Sequence, residues 1–197
     1  MVFLGTAPKK ERHRFDVVYE NILSRRSIMK YAPGNVSDEL IERLIIAASF
    51  APSAGNYQPW EFVIVRDNRT KELLVEAAYE QTWMLDAPVF IVAAINMRLA
   101  TAIYGERGQK LYGPQAVGAA IQNILLAAHA AGFGTCWVGA FNEIKVSQIL
   151  QLPDYIRPCA IITVGVPAEQ PPAPRRQPLK EIMHNERFIG RIITHEE

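Results

Sequence analysis

Hydrophobic residues recur at helical spacing in two parts of the first half of the chain. One face of residues 15–23 is apolar, and a second apolar face follows the predicted N-cap residue Ser37 and runs through residues 38–51. A third helix is predicted to begin at Thr70, whose hydroxyl can cap it, and to end near Leu85.

Continuous apolar runs predict the strands. Residues 61–66 and 88–95 are interpreted as strands with both faces covered, and residues 157–166 form a third strand. Residues 114–131 are apolar nearly all round a helix, which predicts a buried helix between the second and third of these strands. Asn142 is predicted to cap a short helix that follows it.

Length and composition fit one globular domain. The 197 residues are 49% hydrophobic and 21% charged, and the net charge of +1 leaves no electrostatic footprint for nucleic acid or a membrane surface. The apolar runs are too short to span a bilayer. Residues 1–14 begin apolar and turn basic, the reverse of a signal peptide, which predicts a cytoplasmic protein with a loose N-terminal lead. Cys136 and Cys159 form no metal-ligand or disulfide pattern and are interpreted as buried structural thiols.

A stiff polar loop follows the second predicted helix. Pro52 and Pro59 bracket the hydrogen-bonding side chains of Ser53, Asn56 and Gln58 and restrict the backbone around them. A hydroxyl and two amides on such a frame suit a ligand-binding loop. A helix stop followed by a turn explains the same residues, so both interpretations stay open.

Two adjacent arginines follow the first predicted helix. Arg25 and Arg26 are flanked by Ser24 and Ser27. The turn suits a phosphate group, because a guanidinium binds phosphate with a planar fork of donors and serine adds another. The same cations can instead compensate the carbonyl end of the helix.

The junction after the long helix is rich in glycine. Gly132 is predicted to end the helix, and Gly134 suits either a close approach to a planar ligand or a tight helix–strand junction. The Gly-x-Gly spacing here runs from helix to strand, which excludes a dinucleotide-binding fingerprint. His129 is interpreted as compensating the helix dipole or as a hydrogen-bonded core histidine.

Two segments lack a regular pattern. Residues 97–112 mix glycines, tyrosines and scattered charge, which predicts mobile or short helical structure acting as a specificity segment or as surface packing. Residues 167–178 contain five prolines and predict an extended arm. The apolar residues 188–194 are predicted to form a strand that docks on a partner subunit.

Four pieces of sequence together resemble the flavin-dependent nitroreductase family. The resemblance extends from Ile22 to about Arg187. In chain order, the pieces are Arg25-Arg26-Ser27, Ala51-Pro-Ser-Ala-Gly-Asn-Tyr-Gln-Pro-Trp60, Gln122-Asn123-Ile-Leu-Leu-Ala-Ala128 leading to Gly132-Phe-Gly-Thr-Cys-Trp137, and Arg175-Arg176 before Pro178-Leu179.

The resemblance implies an α+β fold, a three-layer sandwich with a mainly antiparallel central sheet flanked by helices. It implies one FMN-binding domain over residues 1–197. In that family, two such domains form a tight homodimer with FMN at the subunit interface, and the C-terminal arm, residues 167–197 here, is exchanged between the subunits.

The resemblance also implies the cofactor-binding residues. Arg25, Ser27 and Arg176 would hold the FMN phosphate, with Arg26 and Arg175 beside them, and the proline-bracketed loop would come from the other subunit. The remaining residues implied to contact FMN are Pro52, Ser53, Ala54, Asn56, Gln58, Gln115, Gly134, Thr135, Trp137, Val138 and Gly139. No metal is implied, and no side chain is assigned a catalytic role because the flavin carries the chemistry.

The implied activity is NAD(P)H-driven reduction of nitroaromatic, quinone or similar small acceptors, by ping-pong hydride transfer through flavin N5. The alternatives are a specialised family member, of dehydrogenase, oxidase, flavin-destructase or dehalogenase type, and a non-catalytic flavin-binding sensor. The acceptor is open, because residues 97–112 carry little family signature and Ala116 stands where many relatives have an acidic residue.

Overall fold

A computed structural model describes residues 13–188, which form an antiparallel sheet between two layers of helices. The helices are α1 (Arg14–Ser24), α2 (Asp38–Ser49), α3 (Asn68–Ala77), α4 (Met97–Thr101), α5 (Gly105–Arg107), α6 (Gly113–Ala130), α7 (Glu143–Ile149) and α8 (Leu179–Ile182). The strands are β1 (Tyr31–Ala32), β2 (Trp60–Val65), β3 (Val89–Asn96), β4 (Gly134–Val138) and β5 (Ile156–Pro167).

Strand β5 organises the sheet. One of its edges pairs with β3, and its other edge pairs first with β4 and then with β1. Strand β2 pairs with β3, and every strand pair is antiparallel. The predicted antiparallel sheet is therefore confirmed, while the two-residue strand β1 was not predicted.

The two faces of β3 separate the core into two layers. Ile91 and Ile95 pack with α2 and α6, whereas Phe90 and Val92 pack with α3 and α7 on the opposite face. Since successive side chains of a strand point to opposite faces, a strand buried along its whole length must be covered by helices on both sides. The predicted three-layer α+β sandwich is confirmed.

Strand β2 differs from its prediction. Glu61 and Ile64 are exposed in β2, so the interpretation of residues 61–66 as a strand with both faces covered is wrong. In the part of the chain that the structure describes, β2 has a strand partner on one side only, which leaves it at the edge of the sheet.

Helix ends follow local side-chain chemistry. The hydroxyl of Ser37 accepts from the N–H of Leu40 at 3.2 Å, and Oδ1 of Asn142 accepts from the N–H of Lys145 at 3.0 Å, as predicted for N-caps. Ala131 is the C-cap of α6, and Gly132 follows it with φ of +82°, so the glycine stops the helix from continuing, as predicted, one residue beyond the cap.

The third helix begins and ends earlier than predicted. Asp67, not Thr70, is its N-cap, because Oδ2 of Asp67 accepts from the N–H of Thr70 at 2.8 Å. The helix ends at Ala77, and Tyr79 and Glu80 then take φ values of +57° and +58°, which no right-handed helix accommodates. The predicted end near Leu85 is wrong, and a separate 3₁₀ turn covers Thr82–Asp86.

The two ends of the described chain lie on the surface. No residue of α1 is buried, although its face carries Phe15, Val18 and Ile22. After β5, which ends at Pro167, residues 168–178 form neither helix nor strand. The exchanged extended arm stays a prediction. Residues 1–12 of the predicted lead and residues 189–194 of the predicted tail strand lie outside the described residues. Within residues 13–188, no helix has the length and hydrophobicity needed to cross a membrane.

Candidate functional site

The arginine turn after α1 lies against the start of β4. Ser27 forms an isolated parallel bridge with Thr135, and the N–H of Ile28 donates to the carbonyl of Thr135 at 3.0 Å. A Cβ atom at Gly134 would lie 3.0 Å from three side-chain atoms of Ile28, so glycine permits this close approach. The structure thus brings together the predicted residues of the arginine turn and of the glycine-rich junction.

Three guanidinium groups gather at this turn. Burial, and then the positive charges of Arg176 and Arg26, lower the pKa of Arg25. Hydrogen bonds from the backbone of Met29 and Lys30 to Glu169 show that the arm after β5 returns to the turn after α1. Within residues 13–188, neither Arg25 nor Arg176 forms an ion pair with a carboxylate. Arg25 and Arg26 are partly buried, whereas Arg176 is exposed. Neighbouring cations that repel one another are stabilised by an anion, so the cluster fits a phosphate group.

Arg26 performs the alternative role considered for this turn. Its Nη1 donates to the carbonyl oxygens of Leu23 at 2.7 Å and of Arg25 at 2.8 Å. These are carbonyl groups at and just after the end of α1, which lack helical partners. Arg26 therefore caps the helix, while Arg25 and Arg176 keep their donors available. Arg175, beside Arg176, is exposed.

A cleft of about 500 Å³, here named the basic cleft, opens beside the cluster. Its lining includes Arg26, Gly134 and Thr135 from the predicted site, together with Ser24, His129 and Glu169. The charged residues of this lining are therefore one cation and one carboxylate, and some of its polar groups already form hydrogen bonds within the chain.

His129 and Glu169 each have defined partners in the basic cleft. Nε2 of His129 lies 2.8 Å from Oγ of Ser24, so the histidine is hydrogen-bonded, but it is half-buried at the cleft and not in the core. Burial, and then Arg25 and Arg26, lower its pKa. Oε1 of Glu169 accepts from the backbone N–H groups of Met29 at 2.9 Å and Lys30 at 3.1 Å, which ties the arm to the turn. Sequence reasoning missed Glu169, since nothing in a proline-rich arm marks this contact.

The proline-bracketed loop has an unusual backbone. Gly55, Asn56 and Gln58 have φ values of +57°, +57° and +52°, a region that non-glycine residues seldom occupy. Oγ of Ser53 accepts from the N–H of Gln58 at 2.9 Å, which closes the loop on itself. Asn56 and Gln58 are exposed. Such a conformation is held by its surroundings, and this favours a ligand-binding loop over a plain turn.

A second cleft, here named the loop cleft, has a volume of about 290 Å³. Residues from two separate parts of the predicted site line it: Pro52, Ser53 and Ala54 from the loop, and Gln115 from the first turn of α6. Tyr112 completes the polar lining and was not predicted. The two clefts share no lining residue, so one chain presents the predicted residues as two separate groups.

The end of β4 presents the remaining predicted residues. Trp137 is 41% exposed, and its indole reaches over α6 near Gly118. Val138 is buried in the core, so only its backbone is available to a ligand. Gly139 follows beside the indole of Trp137, where the absence of a side chain leaves the backbone accessible.

An antiparallel sheet between helix layers defines an α+β sandwich, with a cationic cluster at one end of β4 and a polar loop of unusual backbone conformation elsewhere. The chain belongs to the Nitroreductase family, which its sequence matches over residues 22–166.

Individual relatives extend the match over most of the chain. The NADH dehydrogenase of Thermus thermophilus is 32% identical over 188 residues, covering 82% of this chain and 92% of that protein. The FMN reductase (NAD(P)H) of Bacillus subtilis is 27% identical over 186 residues, covering 88% and 75%. The structure of NADPH:FMN oxidoreductase from Vibrio harveyi, complexed with NAD+, superposes with a TM-score of 0.80 at 26% identity, covering 87% of this chain and 77% of that one.

Proposed function

We propose that this chain is a cytoplasmic reductase that uses NAD(P)H to reduce quinone, nitroaromatic or similar acceptors by a ping-pong reaction at FMN. Its family makes it an NAD(P)H-dependent oxidoreductase with FMN as cofactor. The observation that carries the proposal is the pair of the partly buried Arg25 and the exposed Arg176, whose positive charges repel and which have no carboxylate partner within residues 13–188.

The cation cluster supports a role in holding the FMN phosphate. A phosphate monoester carries close to two negative charges at neutral pH and binds best to charge-assisted donors. Arg25 and Arg176 would supply those donors, and the Ser27 hydroxyl lies in the same turn. Bound FMN supplies a two-electron relay between the nicotinamide donor and the acceptor. The chain's own task is to position the cofactor and to leave room for donor and acceptor in turn.

The exposed apolar surface supports a homodimer. Helix α1 exposes Phe15, Val18 and Ile22, and the end of α2 exposes Ile46 and, with 83% of its surface, Phe50. Contiguous apolar surfaces on soluble proteins mark interaction sites. A symmetric dimer would cover this surface.

The separation of the two clefts supports the same assembly. The basic cleft opens beside the cation cluster, and the loop cleft carries Ser53 and Gln115 for the rest of the cofactor, yet no residue lines both. In the proposed homodimer, the basic cleft of one subunit and the loop cleft of the other form one FMN site. Exchange of the C-terminal arm would add to this contact.

Anaerobic spectroscopy tests the proposed function. The purified protein should show the absorbance of oxidised flavin, lose it on addition of NADH or NADPH, and regain it on addition of a quinone. A protein that cannot be reconstituted with FMN would contradict the assignment of the cation cluster. A flavin-bound protein that neither nucleotide reduces would contradict the reductase and favour a flavin-binding sensor.

A further inference from the structure

Three tyrosines connect the segment before α6 with the proline-bracketed loop. The ring of Tyr104 meets that of Tyr57 at a centroid distance of 6.2 Å and that of Tyr112 at 5.1 Å, with interplanar angles of 89° and 82°. Both are edge-to-face arrangements, which aromatic pairs prefer. The loop and the segment containing residues 97–112 therefore form one packed unit.

The hydroxyl of Tyr112 has a fixed donor. Nε of Arg107 donates to it at 2.7 Å, and the guanidinium carbon lies 5.2 Å from the centre of the Tyr112 ring. The neighbouring Lys110 pairs with Glu106, while Arg107 has no carboxylate partner within the described residues. Because a guanidinium only donates, the phenol oxygen accepts this bond and keeps its own proton for another partner.

The backbone that carries Tyr112 is closely packed. Gly108–Tyr112 form a π-helical turn that leads into α6, a conformation that is frequent at functional sites. A Cβ atom at Gly108 would lie 1.7 Å from the carbonyl oxygen of Ala100 in α4, so the turn and α4 are in direct backbone contact. This contact, the Arg107 bond and the Tyr104 ring together hold Tyr112 in place.

Tyr112 lines the loop cleft beside Ser53 and Gln115, the residues that the proposed function places at the flavin. We propose that Tyr112 is a specificity-determining residue, whose hydroxyl, oriented by Arg107, donates a hydrogen bond to an oxygen of a planar acceptor, such as a quinone carbonyl or a nitro group. This inference rests on the proposed function. It favours a specificity segment over surface packing, the two interpretations that the sequence left open for residues 97–112.

Removal of the hydroxyl tests the inference. The FMN-bound dimer is assayed with 1,4-benzoquinone and with ferricyanide, an acceptor that needs no hydrogen bond from the protein. The quantity compared between variants is the ratio of kcat/KM for benzoquinone to kcat/KM for ferricyanide. Tyr112→Phe keeps the ring and should lower this ratio about tenfold, the typical value of one hydrogen bond. Tyr79→Phe, at an exposed turn after α3, is the matched control and should keep the wild-type ratio. The Kd of benzoate, a planar ligand with oxygen acceptors, is measured from the flavin spectrum and should rise in Tyr112→Phe by a similar factor.

Arg107 is tested as a positioning residue by a double-mutant cycle. Arg107→Met should lower the same ratio, and adding it to Tyr112→Phe should cause no further loss, since both changes remove one hydrogen bond. Fully additive losses would overturn the role of Arg107.

A wild-type ratio in Tyr112→Phe, with a loss only in Tyr112→Leu, would overturn the hydroxyl's role and leave a packing role for the ring. If NAD(P)H does not reduce the wild-type flavin, the proposed function fails; normal reduction with an unchanged ratio overturns only the inference about Tyr112.

Discussion

The backbone of Ser27 is bridged to that of Thr135, and this contact places the arginine turn beside β4. The two residues are far apart in sequence, and the N–H of Ile28 secures the approach by donating to the carbonyl of Thr135. Because the arm after β5 also returns to this turn through Glu169, cations from both ends of the chain meet there.

Replacement of Arg25 and Arg176 by alanine should weaken FMN binding by about 2–5 kcal/mol, since each removes a charge-assisted donor to the phosphate. The Kd is measured by quenching of flavin fluorescence at fixed ionic strength. The affinity for riboflavin, which lacks the phosphate, should change much less in the same variant.

Arg69→Ala is the control for this charge removal. Arg69 is an exposed residue of α3 that pairs with Glu72 at 3.3 Å. Its replacement should leave FMN affinity at the wild-type value, because exposed ion pairs contribute little and the residue lies outside both clefts. Equal losses of FMN and riboflavin in the Arg25/Arg176 variant would contradict the phosphate assignment.

The pKa of His129 should lie below 6.5 in the flavin-free protein and rise when FMN binds. Burial and the charges of Arg25 and Arg26 lower it, and a bound phosphate would offset the two arginines. NMR titration of the imidazole measures both values. An unchanged pKa on FMN binding would place the phosphate elsewhere.

The same shift sets the direction of a pH effect on stability. The pKa of His129 is lower in the folded state than in the unfolded state. Such a histidine contributes stability at pH values above its unfolded-state pKa, near 6.5, and this contribution is lost as the pH falls through its folded-state pKa. His129→Gln should therefore reduce the fall in the free energy of unfolding below about pH 6.5. A steeper fall in this variant, measured by denaturant titration across pH, would reverse the assignment.

Two glycine-to-alanine substitutions should change the free energy of unfolding in opposite directions. Gly108→Ala should lower the free energy of unfolding by about 1–3 kcal/mol or more, because its Cβ would overlap the Ala100 carbonyl and neither backbone can shift freely. Gly118→Ala, within α6, meets only the indole of Trp137 at an ordinary 3.9 Å and should raise stability by about 0.5–1 kcal/mol through helix propensity. Urea unfolding of the two variants compares them directly. Equal stability would show that α4 moves away from the turn without cost.

A charge on the exposed face of α1 should separate the proposed dimer. Val18 is 59% exposed in a single chain, and the partner subunit is proposed to cover this side chain. Val18→Glu would therefore bury a carboxylate without a partner in the proposed interface. Sedimentation velocity should show a monomer that has lost its flavin. Tyr79→Glu introduces the same charge at a residue that is 67% exposed on another surface and should remain a dimer. A flavin-bound dimer of the Val18 variant would exclude α1 from the interface.

Local sequence patterns determined most helices and strands of this protein. The caps at Ser37 and Asn142 and the glycine that ends α6 depend on atoms within a few positions of one another, so the sequence predicts them directly. The start of α3 was misplaced because both Asp67 and Thr70 can cap a helix, and the backbone geometry selects Asp67. The edge position of β2 was equally invisible, since an apolar run does not show how many neighbours a strand has.

The sequence by itself determined the cationic turn, the stiff loop and the family of this protein, because each depends on residue types at short spacing. Tertiary structure alone decided that Arg26 caps a helix while the charge of Arg176 acts on Arg25, and that Glu169 ties the arm to the turn. It also decided that Arg107 and Tyr104 hold Tyr112 beside Ser53 and Gln115. These are contacts between distant parts of the chain, and they form only because burying both faces of the sheet brings those parts together.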